Sequence, residues 1–170
     1  MACRKEEKLS PVTAAKAKLA SSGIKYDTIP DKAVLKIELF RDSIISDETA
    51  IAFEHTACLA YNSLIDAPYF AGTGQLSFAS ISSDGRDLAI NTLPYKQGMA
   101  IRFDVHAKTD GLYKVMVSSE SAVPSDIHIW LKDKYLKDSV DISKKNYSFK
   151  ISQVDTNSFG KNRLELILKE

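Results

Sequence analysis

Ile101-Arg102-Phe103-Asp104-Val105-His106 sets an apolar side chain at every second position with a polar one between. A β-strand turns successive side chains to opposite faces, so this alternation predicts a strand with one buried and one solvated face. The rhythm recurs along the chain. Leu35, Ile37 and Leu39 alternate with Lys36 and Glu38, and further apolar sets are Tyr113/Val115/Val117, Ile127/Ile129/Leu131, Tyr147/Phe149/Ile151 and Leu164/Leu166/Leu168. Weaker strand patterns cover residues 50–53, 76–81 and 88–91. Clusters of turn-forming residues separate the runs: Ser82-Ser83-Asp84-Gly85, Lys108-Thr109-Asp110-Gly111, Pro124-Ser125-Asp126 and Ser158-Phe159-Gly160. No amphipathic helical pattern follows Gly23, so the strand–helix alternation of a parallel α/β fold is missing. The expected fold is all-β, an antiparallel β-sandwich of jelly-roll or immunoglobulin-like topology, and the sequence does not separate those two.

Upstream, Ser10 can cap a helix, Pro11 suits its first position and Gly23 its end. The apolar stripe Val12, Ala15 and Leu19 is too thin to build a core, so residues 1–24 read as a tail or helical linker and residues 25–170 as the sandwich domain. A chain of 170 residues, 44% hydrophobic and 26% charged, is of ordinary globular composition and can bury a core without staples. Its 23 Lys+Arg against 22 Asp+Glu give a net charge of +1, which provides no field to hold nucleic acid or an anionic membrane. No apolar run nears the ~18 residues of a membrane-spanning helix. The two cysteines, Cys3 in a polar segment and Cys58 in an apolar one, read as free thiols. Cys3 is reminiscent of a lipid-carrying cysteine, but Met1-Ala2 before it supplies no apolar leader.

Two stretches carry a resemblance. The first is Asp66-Ala67-Pro68-Tyr69-Phe70 with Ser82-Ser83-Asp84-Gly85 and Leu88-Ala89-Ile90-Asn91 through Pro94. The second is Ile129-Trp130-Leu131-Lys132-Asp133 with Asp141, Tyr147-Ser148-Phe149 and Asn162-Arg163. In this order they resemble the β-sandwich module that precedes the C-terminal sorting domain in Bacteroidota proteins exported by the type IX secretion system. Ile142 stands where that family usually has Leu, and Leu164 where it has Phe, and both keep an apolar group at a core position. The resemblance implies a non-catalytic accessory or spacer module of a secreted or cell-surface bacterial protein, with the neighbouring domains as its partners. No sorting domain follows Glu170, so the chain reads as an excised module.

Candidate chemistry is sparse. His106 and His128 fall on the polar faces of their strands and His55 in a loop, without the spacing of a metal site or a triad. Asp84 and Asp87 offer hard oxygen ligands for Ca2+ in a loop, although Asp-Gly there is also an ordinary turn pair; no other cofactor is indicated. Asp66 reads as a loop anchor whose carboxylate accepts backbone N–H bonds. Trp130, the only tryptophan, points away from the apolar face of its strand. It either stacks on a sugar ring or lies under a loop or adjoining domain, and the second reading is favoured because large aromatics are mostly covered. Tyr69, Phe70 and Tyr95 divide the same way, and a glycan- or protein-binding adhesion module built on exposed aromatics is the alternative function. Asn162-Arg163 stands before the last strand, where Arg163 is expected to pair with a turn carboxylate such as Asp133 or Asp155. With no phosphate loop, paired cysteine motif or nucleophile elbow in the sequence, the chain is not expected to be an enzyme.

Overall fold

The computed structural model describes residues 29–169, and the expected tail or helical linker lies outside them. The strands are β1 Val34–Phe40, β2 Ser46–Phe53, β3 Ala67–Pro68, β4 Leu76–Ile81, β5 Asp87–Leu93 and β6 Ala100–Ala107. They continue with β7 Gly111–Ser121, β8 His128–Asp133, β9 Asp138–Asp141, β10 Tyr147–Ile151 and β11 Leu164–Lys169, and one 3₁₀ turn occupies Thr156–Ser158. All the expected apolar sets fall in or beside strands with the expected side inward: Leu35, Ile37 and Leu39 on β1, Ile101, Phe103 and Val105 on β6, and Leu164, Leu166 and Leu168 on β11 are buried. The intervening Lys36 and His106 are exposed.

The all-β expectation holds. The strands form one mixed, 11-stranded sheet in the order β10-β7-β1-β2-β5-β4-β6-β11-β8-β9, with β3 attached to β5 off that path. The expectation of wholly antiparallel pairing is corrected at one place, because β2 and β5 run parallel, Ala50 opposite Ile90. A parallel pair needs a long crossover rather than a tight turn. The chain between β2 and β5 provides it, by way of β3 and the antiparallel neighbour β4. The turn at Lys108-Thr109-Asp110 does not close a hairpin either: β6 pairs with β4 and β11, whereas β7 pairs with β1 and β10.

The path curls until its ends meet, giving a nearly closed barrel around one apolar cluster. Tyr147 of β10 donates to Asp133 Oδ2 of β8 at 3.1 Å, and Arg163 reaches the Lys150 carbonyl of β10 at 2.7 Å while paired to the same Asp133. Against β1, β7 carries a bulge where the register slips at Lys36/Ile37, the irregularity by which a strand gains extra twist and bend. Gly85, at φ +87°, allows the tight link between β4 and β5, in which Gly85 N–H donates to the Ser82 carbonyl at 3.0 Å. Cys58 is disulfide-bonded, which corrects its reading as a free thiol; Cys3 lies outside the described residues. Nothing in the spacing of two cysteines revealed a bond, since that depends on Cα geometry that only the fold sets. Among the described residues no helix is long and apolar enough to cross a membrane.

Candidate functional site

The aromatics singled out in the sequence do not converge. Tyr69 follows β3 and is tied to β2 and β4, its hydroxyl donating to Asp47 Oδ2 at 2.5 Å while the same oxygen accepts the Phe78 amide at 2.7 Å. Burial, followed by the bond to Asp47, raises its pKa above the ordinary tyrosine value. Phe70 beside it is 84% exposed. Tyr95 packs edge-on against Phe53 with ring centroids 6.0 Å apart and belongs to the rim of the core. Trp130 lies on β8, separated from β5 by β4, β6 and β11. It is half-buried, with the Lys169 ammonium 5.8 Å from its ring. Three separate segments position these four residues: Tyr69 and Phe70 follow β3, Tyr95 follows β5 and Trp130 lies on β8.

The acidic residues divide by task. Asp84 Oδ1 accepts from the Ser82 hydroxyl at 2.6 Å and the Tyr61 amide at 3.0 Å, and those bonds hold its carboxyl below the usual range. Asp87 is gripped by Lys161 Nζ at 2.7 and 2.8 Å. The two carboxylates proposed for Ca2+ therefore serve separate partners. Asp66 is the loop anchor expected of it: Oδ2 accepts the Asn62 amide and Oδ1 the Thr92 amide, both at 2.7 Å. Each histidine stands beside an aspartate, His128 Nδ1 at 2.8 Å from Asp141 Oδ2, His106 Nε2 at 2.8 Å from Asp104 Oδ1, and His55 against Asp31.

Arg163 and Asp133 form a buried pair, 2% and 0% exposed. Arg163 Nε and Nη2 donate to Asp133 Oδ2 at 3.0 and 2.9 Å, and Nη1 donates to the carbonyls of Lys150 and Ser158. The guanidinium also lies over Phe149, 4.4 Å from the ring centre. Asp133 Oδ1 accepts the amides of Tyr135 and Leu136, both at 3.0 Å. A planar cation with several donors is suited to such a position, where each buried polar atom must find a partner. Of the two carboxylates that the sequence offered, Asp133 is the partner, and Asp155 instead accepts the Tyr135 hydroxyl at 2.6 Å.

Beside this pair opens a cleft of about 570 Å³, bounded by His106 of β6, by Tyr135 in the turn between β8 and β9, and by the segment from Thr156 to Asn162. Gly160 docks that segment onto β6, its amide 2.7 Å from the Val105 carbonyl, and Phe159 meets the His106 ring edge-on at 5.6 Å. Beneath His106, Asp104 is only 7% exposed although it belongs to the outward face of its strand. The imidazole approaches Asp104 Oδ1 without hydrogen-bond alignment, so that buried oxygen has a ring neighbour but no hydrogen-bonded partner among the described residues. Lys161 Nζ stands 3.7 Å from the other oxygen. A second hollow of about 470 Å³, lined by Gly72, Gln75, Ala107 and Gln153, shares His106 as a wall. Sequence reading placed Asn162 next to Arg163 but did not nominate Tyr135, Thr156, Phe159 or Lys161 for a site. Their one local signal is the Ser-Phe-Gly turn between two strand patterns, and the turn that meets them comes from a distant stretch of chain. Compared with family models, curated proteins and solved structures, the chain has no significant match in any of the three.

Proposed function

We propose that the chain is a non-catalytic accessory module of a secreted or surface-displayed bacterial protein, akin to the modules that precede the sorting domain of type IX cargo. Its role is to fold as a stiff unit and hold neighbouring domains. The observation that carries this reading is the use to which the polar groups are put. Asp66, Asp133 and Arg163 are committed to backbone groups or to one another, and Thr49, 0% exposed, binds Ser80 Oγ and the Leu88 carbonyl across the sheet. Groups engaged this way hold geometry rather than move protons. The disulfide at Cys58 favours an oxidising compartment. The motif order supplies the link to exported modules, which is an argument from likeness in sequence.

The test is a turnover screen of the purified chain against chromogenic esters, glycosides and phosphate esters. No rate above buffer is expected. Turnover that disappears in His106→Ala would overturn the reading, because His106 is the imidazole with a buried carboxylate at its back and a cleft at its face.

A further inference from the structure

We propose that the two hollows meeting at His106 form one groove for a linear, uncharged oligosaccharide. This inference stands apart from where the protein resides. The first support is charge. The ammonium groups lining the first hollow already have partners: Lys161 has Asp87 and Asp104, and Lys134 has Glu165. In the second hollow Lys108 Nζ donates to the Thr73 carbonyl at 2.9 Å. The carboxylates of Asp87, Asp104 and Glu165 cancel the charges of Lys161 and Lys134, so the groove offers an anionic ligand little net attraction.

What remains open is neutral. The Thr156 hydroxyl and the Asn162 amide make no side-chain hydrogen bond to the described residues, and both face solvent along the cleft. Gln75 adds a second amide in the adjoining hollow. Hydroxyl and amide groups match the alternating donors and acceptors of a sugar ring. Flat apolar faces complete the match. Tyr135, 43% exposed, is fixed by its bond to Asp155 and by the Arg163 guanidinium 5.1 Å from its ring, and Phe159 is fixed against His106. Rings held before the ligand arrives lose little freedom on binding. Each hollow lies within the usual ligand-pocket range of about 300–1,000 Å³, and because His106 lines both, a chain of sugar units can reach from one to the other where a single unit cannot.

A peptide fits less well. Strand addition needs an open sheet edge, and beside His106 β6 is paired with β4 on one side, Ser77 opposite His106, and covered on the other by Gly160, whose amide takes the Val105 carbonyl.

The test is isothermal titration of the full chain with neutral hexasaccharides of glucose, xylose, mannose and N-acetylglucosamine, alongside polygalacturonate and heparin as charged probes. At least one neutral hexasaccharide should bind saturably, and more tightly than its trisaccharide. Tyr135→Ala and Asn162→Ala should each weaken it roughly tenfold, a difference of one decade in Kd, with Trp130→Ala unchanged. Gln75→Ala should erase the advantage of the hexasaccharide over the trisaccharide and spare the trisaccharide. Asn162 is exposed and its side chain makes no hydrogen bond among the described residues, so its variant keeps the test valid if Tyr135→Ala folds poorly. Binding of the charged probes alone, binding lost in Trp130→Ala but kept in Asn162→Ala, or no binding at millimolar sugar by cooperatively folded protein would overturn the proposal.

Discussion

Arg163 has five donors to place in a buried site, and the structure gives its three nitrogens two bonds to Asp133 and two to carbonyls. Removing the cation leaves Asp133 buried and uncompensated, which typically costs about 3–5 kcal/mol. Arg163→Met is thus expected to lower the unfolding free energy by that amount, read as a lower urea midpoint. Arg163→Lys should also destabilise the fold, because an ammonium cannot reach Asp133 and both carbonyls together. Adding Asp133→Asn to Arg163→Met should recover part of the loss, since the amide oxygen still accepts from Tyr135 and Leu136. An unchanged midpoint in Arg163→Met would remove the pair from the stability argument. Asp66→Ala strips the partner from the Thr92 amide, and Thr92 is 6% exposed. The expected loss is about 1–3 kcal/mol, with faster amide exchange at Asn62 and Thr92 as the local check. Both residues were legible in the sequence as anchors, because a carboxylate before Pro and an arginine out of phase with an apolar strand have few other uses. Asp104 was not. Alternation assigned it to solvent, and only the segment around Gly160 folding back over β6 buries it.

At the scale of strands, periodicity carried the reading a long way. It placed the buried residues of β1, β6, β8, β10 and β11, because each has a core on one side and water on the other. It missed β3 and β9, which are too short to show a period. It also could not give strand order. Hairpin turns announce local pairing, but the contacts of β1 with β7 and of β2 with β5 depend on how the sheet curls. The parallel β2–β5 pair is held by a buried polar junction in which Thr49 Oγ1 lies 3.2 Å from Ser80 Oγ and 3.1 Å from the Leu88 carbonyl. Thr49→Val keeps the shape and removes the hydroxyl, leaving Ser80 without that partner. A destabilisation of about 1–3 kcal/mol is expected, with exchange protection lost first on β4 and β5. Uniform loss of protection across all strands would show instead that the junction has no local role.

The whole molecule should respond to pH at both extremes. The Tyr135 hydroxyl and the Asn157 amide hold the Asp155 carboxyl below its usual range, and the Ser82 hydroxyl does the same for Asp84. A carboxyl whose pKa is lowered on folding stabilises the fold above its unfolded value, about 3.9. That stability is lost as pH falls from there through the folded value. In the alkaline range, burial and then the charge of Asp133 raise the Tyr147 pKa well above the ordinary value. Its contribution is complete below the unfolded tyrosine value of about 10 and declines as pH rises toward the folded one. Tm should therefore be flat through neutrality and fall below about pH 4 and above about pH 10, and a Tm that rises in either range would contradict these assignments. A spacer role further requires that the closed sheet behave as one unit. Trp130 reports from β8, next to the seam that Asp133 and Arg163 close against β10, whereas far-ultraviolet circular dichroism reports from every strand. The decisive measurement is urea unfolding followed by Trp130 fluorescence and circular dichroism on the same sample. A stiff accessory module predicts coincident transitions with one midpoint; a tryptophan transition that clearly precedes the loss of sheet would mean that the seam opens by itself, and the molecule could not serve as a rigid spacer.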